Sequence, residues 1–136
     1  MKTVTAIIET GADRRVSIYI SDPDYPYGII GTGDTVKDAL QDFREGYEDM
    51  RETIEQTGNT FEEAEVVFRY DVPSFLQEFA YAFTLAGLQR ITGINQKQLG
   101  HYVSGLRKPS SKTIRKMEEG IHRFCELLSD IHFAGA

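Results

Sequence analysis

The hydrophobic period of this chain changes once, at Val72-Pro73-Ser74, and that change limits the possible folds more than any other feature. Before it, Val4, Ala6 and Ile8 alternate with Thr3, Thr5, Ile7 and Glu9, and Val16, Ile18 and Ile20 alternate with Ser17, Tyr19 and Ser21. After it, apolar residues recur at three-to-four spacing as far as Ile131. A strand turns successive side chains to opposite faces, whereas a helix returns to the same face every 3.6 residues or so. Neither half can take up the other's structure without exposing its apolar set. Pro73 starts or precedes a helix, and Ser74 is placed to cap it. The sequence therefore predicts an α+β protein with a mixed domain over 1–72 and an all-α domain over 73–136.

In the first half, the turn Gly11–Arg15 joins the two alternating runs into a hairpin. Asp22–Gly28 holds Pro23 and Pro26, which lack the N–H a central strand donates, so it is a loop. A short third strand follows at Ile29–Thr32. Thr35, with an acid three residues on at Asp38, resembles a capping box. Val36, Ala39, Leu40, Phe43, Tyr47, Met50 and Ile54 then make one face of a helix that ends near Gly58, and its outer face is acidic. A fourth strand at Glu65–Tyr70 completes a β-β-β-α-β order, with one helix on one face of a sheet.

The second half predicts four helices. Phe75, Leu76, Phe79, Ala82 and Phe83 mark the first, and Leu85, Leu88 and Ile91 the second, ending at Gly93. The third runs from Asn95 to Ser104, and Ser110 or Ser111 opens the fourth. The single cysteine, Cys125, rules out an internal disulfide and a cysteine-built zinc site, and its apolar helical setting predicts burial. No apolar run is long enough for export or for a membrane span, so a cytoplasmic protein with no membrane partner is expected.

Charge divides the same way. Residues 1–72 carry 7 Lys/Arg against 16 Asp/Glu, and residues 73–136 carry 8 against 5. From Phe79 to Met117 there is no Asp or Glu at all, while Arg90, Lys97, Arg107, Lys108, Lys112, Arg115 and Lys116 all fall in that window. Within it, Gly93 and Gly105 bracket a short amide-rich helix, followed by the basic loop Leu106–Ser110. A helix starting at Asn95 turns Leu99 and Tyr102 inward with Ile94, and Lys97, His101 and Ser104 outward, with Gln96 and Gln98 near its N-terminal end. Gln bonds adenine N6 and N7, and Lys donates to guanine O6 and N7. Arg107, Lys108 and Lys112 are placed for phosphates. This is the pattern of a helix-turn-helix reader of double-stranded DNA. A helical bundle with solvated Gln, Lys and His shares the local pattern, but an ordinary solvated face mixes charges, and this one has no acids.

Gly93-Ile-Asn-Gln-Lys-Gln-Leu-Gly-His-Tyr-Val-Ser-Gly-Leu-Arg-Lys-Pro-Ser110 resembles the lambda-repressor-type (XRE) helix-turn-helix, in particular the form found in HicB-family antitoxins. Ile18-Tyr-Ile-Ser-Asp-Pro-Asp24, Ile29-Ile-Gly-Thr-Gly-Asp-Thr35 and Val36-Lys-Asp-Ala-Leu40 are similar, in order, to the HicB domain. The resemblance implies a partial RNase H-like domain that binds a small HicA-like ribonuclease toxin and mediates oligomerisation. It also implies a C-terminal domain that represses the antitoxin's own operon as a homodimer or higher oligomer. The family's usual loop reads roughly Pro-Asp-Leu-Pro-Gly-Cys/Ala; this chain has Pro23-Asp24-Tyr25-Pro26-Tyr27-Gly28.

An acidic surface suits a basic ribonuclease, and acids beside aromatic anchors suit an interface, so Asp22, Asp24, Tyr25 and Tyr27 are the candidate toxin contacts. Glu9, Asp22 and Asp34 sit at strand ends, but the second half of an RNase H-like enzyme is absent after residue 70. The histidines show no HExxH spacing, and no nucleophile context stands out. No catalysis, cofactor or metal is expected. The alternative is a solitary helix-turn-helix regulator whose acidic half serves dimerisation or sensing, without a toxin.

Overall fold

The computed structural model describes residues 1–135, so the predicted end of the second domain at residue 136 lies outside the described residues. Among the described residues the architecture is mixed α+β, with one four-stranded sheet and five helices. The elements are β1 (Lys2–Thr10), β2 (Val16–Ile20), β3 (Ile30–Gly33), α1 (Val36–Gln56), β4 (Ala64–Tyr70), α2 (Val72–Glu78), α3 (Leu85–Thr92), α4 (Gln96–Ser104) and α5 (Ser111–Ser129). The chain forms two compact units, Met1–Ser74 and a second beginning at Phe75. No helix among the described residues is long and apolar enough to cross a membrane.

In the first unit the sheet order is β3-β2-β1-β4. β1 pairs antiparallel with β2 (Ala6 opposite Ile20) and β2 antiparallel with β3. β4 returns after α1 to pair parallel with β1, Val4 opposite Val66. The period-two pattern places Val4, Ala6, Ile8, Val16 and Ile18 on the face under α1, where with Ala39 and Phe43 they form the core. α1 sits directly on β3 because Gly31 has no side chain. A Cβ there would lie 2.4 Å from the Ala39 carbonyl oxygen. Thr35 caps α1 as expected, its hydroxyl accepting from the Asp38 N–H at 3.1 Å.

Ser74 departs from its predicted role as a cap. It lies inside α2, is buried, accepts the Thr10 N–H at 2.8 Å and donates to the Asp71 carboxylate at 3.1 Å. The predicted first helix of the second half also stops early, at Glu78, and gives way to a turn before α3.

In the second unit α3 packs against both α4 and α5. Leu88, Ile94, Leu99, Tyr102 and Met117 are buried among its helices. Cys125 is exposed, contrary to the expectation of burial. Its periodicity is apolar, but it follows the buried Gly120 by five residues, roughly 140° around the helix, which turns it off the packed face.

Candidate nucleic-acid interface

The stretch from α3 to the start of α5 is held by local bonds that the sequence encodes. α3 ends at Gly93 and α4 at Gly105, both left-handed with φ of 75° and 79°. Between the two helices, the Thr92 hydroxyl donates to the Leu88 carbonyl at 2.7 Å and accepts the Ile94 N–H at 3.1 Å. Asn95 caps α4 by accepting the Lys97 N–H at 2.8 Å. Gln89, on α3, adds a second cap: its side-chain oxygen accepts the Gln96 N–H at 2.8 Å. Lys116 reaches the turn, donating to the Gly93 carbonyl at 3.4 Å. Two of the N–H groups left orphaned at the start of α4 are thus satisfied, and the helix is fixed relative to α3.

On α4 the inward residues are as predicted. Leu99 and Tyr102 are buried, with Ile94 just before the helix. Gln96 and Lys97 are exposed, and His101 is half-exposed on the same side as Lys97. The remaining two predicted contacts on this helix are engaged within the chain. The Gln98 amide donates to the Tyr102 hydroxyl at 2.5 Å. The Ser104 hydroxyl donates to the His101 carbonyl at 3.2 Å and accepts the Leu106 N–H at 3.4 Å, closing the helix end. Both still face solvent, but their polar groups serve the helix.

The basic loop is tied back to α4, since the Arg107 N–H donates to the His101 carbonyl at 3.3 Å. Arg107, Lys108 and Lys112 are exposed. Ser110 caps α5, accepting the Thr113 N–H at 3.2 Å, which places Lys112 in the first turn of that helix. Among the described residues the ion pairs are Arg15–Asp34, Arg51–Glu48 and Arg51–Glu63, all in the first unit. Among the described residues no carboxylate pairs with Lys97, Arg107, Lys108 or Lys112. They form an exposed positive surface around the N-terminal end and outer face of α4 and the loop after it.

The chain matches no family model, no curated protein and no solved structure.

The candidate toxin contacts fare differently. Tyr25 is 6 % exposed, and its hydroxyl donates to the Glu62 carbonyl at 2.9 Å. Tyr27 stacks on Phe61 with ring centroids 4.8 Å apart, and its hydroxyl accepts the Glu62 N–H at 2.8 Å. The Asp22 carboxylate accepts the Thr5 N–H. Three of the four residues therefore hold the loop onto the sheet and onto the segment before β4, and only Asp24 is fully exposed. Burial pushes the Tyr25 phenol pKa up, with Tyr47 and Tyr27 beside it adding to the shift. Phe61, which carries this aromatic cluster with Tyr47, gave no sequence signal, because its partners lie far along the chain. Among the described residues no group of three His, Cys, Asp or Glu side chains is placed to hold a metal.

Proposed function

We propose that the second unit is a helix-turn-helix that binds operator DNA, with α4 in the major groove and the Arg107–Lys112 segment on phosphates. The observation that carries this reading is the exposed, acid-free set Lys97, Arg107, Lys108 and Lys112, arranged about a helix capped at both ends and braced by α3. Gln96, Lys97 and His101 are the side chains available for base edges. Gln98 and Ser104 are secondary candidates, since their polar groups already bond within α4.

The first unit fits the partial RNase H-like HicB domain in its β-β-β-α-β order and its single covering helix. With the XRE-like second unit, that supports an antitoxin that neutralises a HicA-like ribonuclease and represses its own operon. The burial of Tyr25 and the packing of half-buried Tyr27 on Phe61 favour the second reading, a solitary regulator, because both tyrosines are already engaged within the loop's own support. Both readings share the DNA-binding step.

The test is a mobility shift on the DNA upstream of the gene across 50 to 200 mM salt, with an unrelated duplex as control. Preferential binding that weakens steeply with salt, as for roughly 6 to 10 phosphate contacts, supports the repressor. Equal binding to both duplexes, or none at the lowest salt, refutes it. Co-purification with the product of an adjacent small basic reading frame separates antitoxin from solitary regulator.

A further inference from the structure

The two edges of the first unit's sheet are finished differently. At the β3 edge the Thr32 N–H is taken by the Asp42 carboxylate of α1 at 2.8 Å. At the β4 edge the Asp71 N–H donates to the Ile8 carbonyl at 3.0 Å, and backbone groups alternate sides along a strand. Glu65, Val67 and Arg69 therefore turn their N–H and C=O groups toward β1, and Ala64, Val66 and Phe68 turn theirs outward. The Tyr47 hydroxyl satisfies both groups of Ala64, accepting its N–H at 3.0 Å and donating to its carbonyl at 3.3 Å. Among the described residues no hydrogen-bond partner takes the outward groups of Val66 and Phe68, which lie in the middle of a strand with no proline and an unbroken register against β1. Such an edge is a template for another strand.

The side chains indicate which strand fits. Glu65 and Arg69 are exposed on the face away from α1, placed symmetrically about Val67, and neither is in an ion pair among the described residues. We propose that β4 is the interface for a second copy of this chain, paired antiparallel about a two-fold axis at Val67. Glu65 then faces Arg69 of the second copy, and by symmetry Arg69 faces its Glu65. Val66 and Phe68 meet their counterparts at hydrogen-bonded positions, where each pair exchanges two N–H···O=C bonds. The Glu65–Arg69 pairs fall at the closer, non-hydrogen-bonded positions, with Cα atoms about 4.5 Å apart. The same-parity alternatives fit worse. Centring on Phe68 sets Glu65 against Asp71. Centring on Val66 sets Arg69 against Glu63, which Arg51 already holds. Val66 and Phe68 also line an open cleft of about 300 Å³ beside α1, so the added strand covers apolar surface as well. The pairing rests on the sheet alone and stands apart from the DNA and toxin readings.

Sedimentation equilibrium on the full chain, with charge reversal, tests the pairing. Wild type is expected as a dimer. Glu65→Arg opposes like charges at two symmetric places and weakens association by about tenfold or more, and Glu65→Arg/Arg69→Glu restores it. Both positions are exposed, so the circular dichroism of the variants matches wild type. Register is read by mild oxidation in a Cys125→Ser background. Val67→Cys gives a covalent dimer, whereas Glu65→Cys does not, because the two copies of position 65 lie about 13 Å apart. A chain that stays monomeric at all concentrations overturns the proposal and leaves the edge to a strand from another protein. An unchanged dimer in Glu65→Arg, or equal cross-linking at both positions, overturns it too.

Discussion

Gly120→Ala and Gly100→Ala are the same substitution in two helices of one unit, and they should move stability in opposite directions. Intrinsic preference favours Ala in a helix by about 0.8–1.0 kcal/mol at either place. At Gly100, on α4, an added Cβ meets only the Leu85 Cδ1 at 3.8 Å, an ordinary contact, so the preference is realised and the unit gains about 0.5–1 kcal/mol. At Gly120, on α5, the same Cβ would sit 2.6 Å from the Ile91 carbonyl oxygen and 2.8 Å from the Thr92 Cα. Both are backbone atoms of α3, which cannot swing aside as a side chain can. Relief requires α3 and α5 to separate, which loosens the packing around Leu88 and Met117. Overpacking costs about 1–3 kcal/mol, and a backbone obstacle puts this case near the top of that range. Less the helix preference, Gly120→Ala loses about 2 kcal/mol. Urea unfolding of the full chain, with hydrogen exchange at α3 and α5 amides to localise the effect, measures both. A Gly120→Ala variant as stable as wild type would refute the close-approach argument.

The remaining predictions concern the surface and the loop. Lys97→Ala and His101→Ala should each weaken binding to the upstream DNA while the circular dichroism stays as in wild type. Unchanged affinity in both would remove α4 from the groove. Arg107→Ala should weaken specific and non-specific DNA alike and reduce the salt slope by about one unit in the same mobility shift. Leu99→Ala truncates a fully buried side chain and should cost roughly 2 to 5 kcal/mol in urea unfolding. The Tyr25 phenol is held neutral in the folded protein above its ordinary value near 10, so its stabilisation is fully present below about pH 10 and declines as pH rises further. Tyr25→Phe should lose about 0.5–1.5 kcal/mol at neutral pH with the Glu62 hydrogen bond. It should also flatten the decline above pH 10, as read by urea unfolding at a series of pH values.

What the sequence alone determined was local: periods and ends. Thr35, Asn95 and Ser110 cap helices from their own first turns, and Gly93 and Gly105 end helices with positive φ. The apolar spacing turned Leu99 and Tyr102 inward, and with them Lys97 and His101 outward. Each of these follows from residues within a turn or two of one another, so backbone geometry links cause and position. The tertiary structure decided everything that depends on distant neighbours. β4 lies beside β1, parallel and at an edge, because α1 carries the chain across the sheet. That placement puts Tyr25 and Tyr27 against the segment before β4, which buries Tyr25 and half-buries Tyr27 where composition had put both on the surface. Gln89 becomes a cap for α4, Gly120 a site of close backbone approach to α3, and Cys125 a surface residue. A side chain's period says which residues share a face. Only the neighbour that arrives at that face says whether the face is closed.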